Sequence, residues 1–163
     1  MSAYITLATP MTDRDSLLAA LSDVGFGHDK VEVHAAPVPL VDYGGGVQMH
    51  ANIVVRSQHI GSYGSDIGFL ASPTGYRVMV RGYLQGAYGE AWLRRLHAGY
   101  QHHWATKQAH LAEAERQRVE DERQRLVEAQ RSAVLERAKK MGYQVKESRE
   151  GSSIRIMLVK RSY

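Results

Sequence analysis

From Gln101 to Met141 the chain has no glycine, proline or asparagine, and across residues 110–140, "HLAEAERQRVEDERQRLVEAQRSAVLERAKK", a charge falls at about every second position. Those three residue types let a chain reverse at low cost, so a run this long offers no easy place to fold back. Everything from Glu90 to Met141 is compatible with helix, and Gly142 supplies the stop. One helix of that length spans roughly 78 Å at 1.5 Å per residue, about twice the width of a domain this small. Part of it is therefore expected to protrude.

Residues 111–140 hold seven acidic and eight basic side chains. Most acids have a base three positions on: Glu113 with Arg116, Glu115 with Arg118, Glu120 with Arg123, Glu122 with Arg125, Glu128 with Arg131, Glu136 with Lys139. Asp121 with Arg125 and Glu136 with Lys140 add the four-residue spacing. Each pair contributes about 0.2–0.5 kcal/mol to an isolated helix, so the segment can hold its conformation without a partner. A partner is nonetheless suggested by Trp104, Leu111, Val119, Leu126 and Ala133 or Val134, which recur close to every seven residues. A coiled coil carries two apolar residues per heptad and this seam carries one, so it is thin. Trp104, Leu111, Val119, Leu126 and Val134 are the candidate protein-interaction residues, for a partner helix or a second copy, with a solvated strut as the alternative. The segment is a poor DNA-reading helix, since its net charge is +1 and phosphate affinity needs uncompensated Lys and Arg.

The flanking sequence reads mainly as strands. "YITLATP" is a short strand ended by Pro10, and "TDRDSLLAALSDVGFG" is a helix with Thr12 as N-cap, Asp15 three residues on, a Leu17, Leu18, Leu21 and Val24 stripe and Gly25 as the stop. "KVEVHAA" alternates as a strand, whereas "PVPLVDYGGGVQ" reads as a loop. In "VQMHANIVVRSQ" the residues Val47, Met49, Ala51, Ile53 and Val55 share one face. "SDIGFLASPTGYRVMVRGYL" gives two more strands around "SPTG", with Tyr76, Val78 and Val80 facing opposite to Arg77, Met79 and Arg81. The chain closes on a hairpin whose second strand puts Ile154, Ile156 and Leu158 inward. Strands in adjacent runs predict the α+β class: an antiparallel or mixed sheet, helices on one face and one long charged helix. At 163 residues a single domain is expected, with residues 105–134 a helical extension inserted within it.

Chemistry is less visible. With no cysteine, disulfide frameworks and thiolate sites are excluded and a cytoplasmic protein is expected. The first residues lack a basic region followed by an apolar run, and no segment approaches the roughly 18 apolar residues that would span a bilayer. His97, His102, His103 and His110 form no HxxxH pattern, and His103 and His110 are two turns apart, too far for one ion. The glycines at 44–46 lack the lysine and hydroxyl residue of a phosphate loop. No catalytic constellation or cofactor site is apparent, so no enzyme is expected. A pI near 9.4 permits phosphate contact without demanding it. Arg77, Arg81, Tyr83 and Tyr88, leading to Arg94, Arg95 and Tyr100, are the one basic cluster with interleaved aromatics. Arg77, Arg81, Arg94 and Arg95 are the candidate nucleic-acid or anion contacts, although the same residues can pack a helix on a sheet with their guanidinium groups reaching out to water.

The segments "TDRDSLLAALSDVGF", "ANIVVRS", "SDIGF", "GYRVMV" and "ERAKKMGYQVKESREGSSIRIMLVKR", in that order, resemble the family called domain of unknown function 1257, which includes the hypothetical chloroplast reading frame 35 proteins. The resemblance implies an α+β domain without an assigned activity, cofactor or catalytic residue, and an accessory role with an AAA-type ATPase machine. The chain differs from that family in "VRGYLQGAYG" and in a helix longer by roughly 29 residues, close to a whole number of turns. The expectation is a non-enzymatic accessory or assembly protein that binds a protein partner or a second copy through its helix. A nucleic-acid-binding module is the alternative.

Overall fold

The computed structural model describes residues 3–41, 48–61, 64–151 and 153–160, and the chain forms two compact units, Met1–Ala109 and His110–Tyr163. Residues 105–134, expected as an insertion within one domain, fall on both sides of that boundary. In chain order the first unit holds β1 (Tyr4–Ala8), α1 (Arg14–Asp23), β2 (Val31–Pro39), β3 (His50–Val55), α2 (Ser57–Ile60), β4 (Ile67–Leu70), β5 (Arg77–Arg81), a 3₁₀ turn (Gly82–Leu84) and α3 (Gln85–Tyr88). Then comes α4 (Glu90–Lys140), which continues into the second unit, succeeded there by β6 (Tyr143–Glu150) and β7 (Ser153–Lys160). The class is α+β, as the strand runs predict, and every described strand pairing is antiparallel.

The first unit is a five-stranded sheet ordered β1-β5-β4-β3-β2. Alternation along the strands sends Ile53, Val55, Ile67, Phe69, Val78 and Val80 to one face, where they are buried with Leu17 and Leu21 of α1 and Trp92, Leu96 and Tyr100 of α4. Both helices thus cover the same side. The other face carries a smaller cluster, Leu40, Ala51, Val54 and Met79. That cluster divides the apolar face expected along β3. Ala51 and Met49 pack with it rather than with Ile53 and Val55, and the β2–β3 ladder shifts register over the same stretch, between Val33 and Val38. Val47 and the glycines at 44–46 lie outside the described residues.

Three local expectations are corrected. The N-cap of α1 is Asp13, not Thr12: its carboxylate accepts from the Ser16 N–H at 2.9 Å and the Ser16 hydroxyl at 2.7 Å, and a carboxylate is the stronger acceptor at the positive end of a helix. Residues 37–39, expected in a loop, complete β2. Pro37 and Pro39 are tolerated there because β2 is an edge strand paired only with β3. The short helices α2 and α3 were not anticipated, four residues being too few to display a helical period.

In the second unit, β6 and β7 form a two-stranded sheet in register from Tyr143↔Lys160 to Glu150↔Ser153. Gly142, at φ +77°, ends α4 as the sequence predicts. Ile154 and Ile156 are half-buried, but Leu158, expected beside them, is 49% exposed. A lone hairpin is marginal in water, and this one gains support within its unit from α4. There the Arg131 guanidinium donates to Glu147 of β6 at 2.7 Å and to Glu128 at 2.6 Å, and Ala138 is buried.

Candidate protein-interaction surface

The first part of α4 is anchored by its own side chains. Trp92, Leu96 and Tyr100 recur every four residues and enter the core, where Trp92 makes edge contacts with Phe26 and Tyr88 at 6.4 and 5.4 Å. The Tyr100 phenol oxygen accepts from the Thr12 and Asp13 N–H groups, both at 3.0 Å, so it satisfies two donors at the start of α1. Lys107 Nζ donates to Asp13 at 2.7 Å and to Asp15 at 3.2 Å, and His103 Nε2 lies 2.6 Å from Asp23. Burial pushes the Asp13 carboxyl up, but hydrogen bonds from Lys107 and Ser16 outweigh it and hold the group below its ordinary range. His103, one of the clustered histidines in the sequence, is thus a tie between helices.

Within the second unit the character of α4 changes. Every residue from His110 to Gln130 is exposed, so no face of this stretch is covered. Leu111 is 56% exposed, Val119 55% and Leu126 60%, while Val134, further on, is also exposed. The seam expected from the heptad spacing is therefore bare. The side chains around it pair internally: Glu115 with Arg118 at 2.7 Å, Glu113 with Arg116 at 3.6 Å, Glu120 with Arg123 at 4.0 Å and Glu128 with Arg131 at 2.6 Å. Glu122 with Arg125 and Glu136 with Lys139, also expected, are not among the described ion pairs. Arg131, which meets the hairpin, stands five residues beyond Leu126, about 140° around the helix at 100° per residue. The hairpin and the Val119 and Leu126 part of the seam thus occupy different sides, whereas Val134, three residues beyond Arg131, stands about 60° from it. An open groove of about 590 Å³, lined by Asp121, Arg125, Glu128 and Arg149 with Val127 and Ile154, runs between helix and hairpin. Its charges of both signs suit no simple anion or cation.

The basic candidates do not form one surface. Arg77 and Arg81 lie on the sheet face of Met79, while Arg94 and Arg95 belong to α4, whose Trp92 and Leu96 are buried on the opposite face with Val78 and Val80. Arg77 is exposed and Arg81 is buried, with its guanidinium 4.9 Å from the centre of the Tyr4 ring. Arg94 is exposed and 3.8 Å from Glu90, and Arg95 is exposed. Of the interleaved aromatics, Tyr88 and Tyr100 pack in the core. That leaves them unavailable to stack on bases.

Sequence reasoning missed the most polar buried spot in the sheet. Asp66, 1% exposed, accepts from the Val41 N–H at 2.8 Å, the Ser57 N–H at 2.9 Å and Arg56 Nη1 at 2.8 Å. The same guanidinium grips Glu32 through Nε at 2.9 Å and Nη2 at 2.6 Å, and His34 approaches Glu32 at 3.1 Å. Hydrogen bonds from Arg56, opposed by partial burial, pull the Glu32 carboxyl down to about 2. The partners stand 9 to 25 positions from Asp66, beyond any local pattern, though Arg56 and Ser57 end "ANIVVRS" and Asp66 opens "DIGF". The network ties β2, β3 and β4 together and opens onto no described cavity. Among the described residues no three His, Asp or Glu side chains converge as metal ligands, and no helix is long and apolar enough to cross a membrane. Comparison with known proteins finds no match: no family model, no curated protein and no solved structure matches the chain.

Proposed function

We propose that this is a non-enzymatic accessory or assembly protein of the cytoplasm that makes a protein–protein contact through the exposed seam of α4. The observation that carries this reading is the exposure of Leu111, Val119 and Leu126, each above half, on a stretch along which three Glu–Arg pairs form within the helix itself. Single exposed apolar residues are ordinary on a protein surface. Val119 and Leu126 point within about 20° of each other with Leu111 about 80° aside, and an apolar stripe on a helix is what a partner helix buries. The resemblance to domain of unknown function 1257 adds an AAA-type ATPase machine as one assembly in which such a contact would serve. The basic residues support a nucleic-acid reading less well, since Arg77 and Arg81 lie on the opposite side of the sheet from the helix bearing Arg94 and Arg95.

The test is the full-length variant Leu111→Glu/Val119→Glu/Leu126→Glu. All three positions are exposed, so circular dichroism should be unchanged. Partners co-purified from the native host, and self-association measured by sedimentation, should both be compared with the unmodified protein. Loss of assembly in the variant is expected. A variant that assembles as before, in a protein whose single-strand binding falls steeply with salt and disappears in Arg94→Glu/Arg95→Glu, would overturn the reading in favour of nucleic acid.

A further inference from the structure

Leu111, Val119, Leu126 and Val134 succeed one another at intervals of eight, seven and eight residues, and a palindromic spacing has a centre. That centre is the peptide between Glu122 and Arg123: Val119 stands as far before it as Leu126 after it, and Leu111 as far before it as Val134. In the sequence, Trp104 and Met141 obey the same relation. A helix laid antiparallel on a copy of itself about that point brings Val119 against Leu126 and sets Leu111 level with Val134, and every contact occurs twice, as an isologous two-fold interface requires.

The charges share this symmetry with opposite sign. Residues 113–122 carry five acids and two arginines, a net of −3, and their mirror segment, 123–132, carries three arginines and one glutamate, a net of +2. Antiparallel pairing sets the acidic half of each helix beside the basic half of the other, with Glu120 of one copy beside Arg125 of the second. Parallel pairing would set acid on acid and base on base. From this complementarity, resting on the reading of α4 as a contact surface, we propose that the occupant of the seam is a second copy of this chain, antiparallel, with the two-fold axis at residues 122 and 123.

The geometry of a straight helix fits a crossing at that axis. At 100° per residue, Val119 and Leu126 point within about 20° of each other, while Leu111 and Val134 each turn away by about 80°, in opposite directions from the centre. Seam intervals averaging above 7.2 residues wind right-handed, so the two helices cross in the right-handed sense, with the tightest contact at Val119 and Leu126.

The chain contains no cysteine, so introduced thiols report cleanly. Full-length Val119→Cys and Leu126→Cys are prepared separately, oxidised alone and as a mixture, and read on non-reducing gels alongside sedimentation equilibrium of the unmodified protein at about 100 µM. The expected result is a dimer that cross-links in the mixture far more than in either variant alone, since the two copies of position 119 lie roughly 10 Å apart along the axis at 1.5 Å per residue, beyond disulfide reach. Leu126→Glu should weaken the dimer by about 100-fold, because the two-fold axis counts the lost burial twice. Preferential cross-linking of Val119→Cys with itself would show a parallel pair and overturn the proposal. So would a monomer at that concentration. A monomer that still loses a host partner on Leu126→Glu refutes only the second copy and leaves the contact reading standing, whereas a dimer indifferent to Leu126→Glu refutes both.

Discussion

Replacing Asp66 by alanine removes an acceptor that three donors share and leaves the Val41 and Ser57 N–H groups and one side of Arg56 without it. Breaking a buried charged pair costs about 3–5 kcal/mol, so Asp66→Ala is expected to lower stability by about 3 kcal/mol or more in urea denaturation monitored by circular dichroism. Glu32, at the outer end of the same network, should show in the pH dependence. Its folded pKa of about 2 lies below the ordinary 4.5. A depressed carboxylate contributes stability that is complete above the ordinary value and lost as pH falls through 4.5 towards 2. The side chain is 42% exposed, so solvent screens the effect and it is modest. Calorimetry should find the thermal midpoint of the unmodified protein falling more steeply over that window than that of Glu32→Gln. Gly75 sets a different constraint: at φ +134° a Cβ would overlap the Thr9 carbonyl oxygen, so alanine there is strained in conformation and in space. None of these contacts was legible in the sequence. The "DIGF" motif could be quoted, but that Asp66 reaches Val41, and that Gly68 leaves room for the Leu40 side chain against Ala51, depends on which strands lie side by side.

At the scale of elements, legibility tracked periodicity. α4 was readable because the run from Gln101 to Met141 without a turn former permits little else, and Gly142 marked its end. The strands β1, β4 and β5 were readable, and β3 only in part, since Ala51 packs on the face opposite Ile53 and Val55. The end of β2 was not, since two prolines read as a break unless the strand is known to lie at an edge. The cap of α1 differed by one residue because Thr12 and Asp13 are both acceptable caps, and the choice between them comes from far away: Tyr100 takes the Thr12 and Asp13 N–H groups, and Lys107 pairs with the Asp13 carboxylate. Removal of that carboxylate in Asp13→Ala deprives the helix of its cap at a cost of about 1 kcal/mol, with the loss of the Lys107 contact in addition. Chemical denaturation should therefore shift further for Asp13→Ala than for Thr12→Ala. The seam on α4 was legible as a spacing, and in the structure Leu111, Val119, Leu126 and Val134 are exposed.

For the whole molecule, the core residues joining sheet and helices lie between Met11 and Tyr100, and all belong to the first unit. A chain ending at residue 109 is thus expected to keep the five-stranded sheet, checked by a dispersed amide NMR spectrum with cooperative unfolding; a collapsed spectrum would mean that the sheet depends on the second unit. The basic residues illustrate why function was harder to read than fold. Arg77, Arg81, Arg94 and Arg95 are neighbours along the chain, but pleat and helix send them to opposite sides of one sheet.

The prolines of β2 bear on how such a molecule behaves when crowded. A sheet edge is a template on which any extended chain can add hydrogen bonds, and that is how folded domains seed fibrils. Pro37 and Pro39 have no N–H to offer, and the irregularity between Val33 and Val38 breaks the straight run that an incoming strand would need. Strand addition is therefore disfavoured along that end of β2, so the edge is a poorer template than its length suggests.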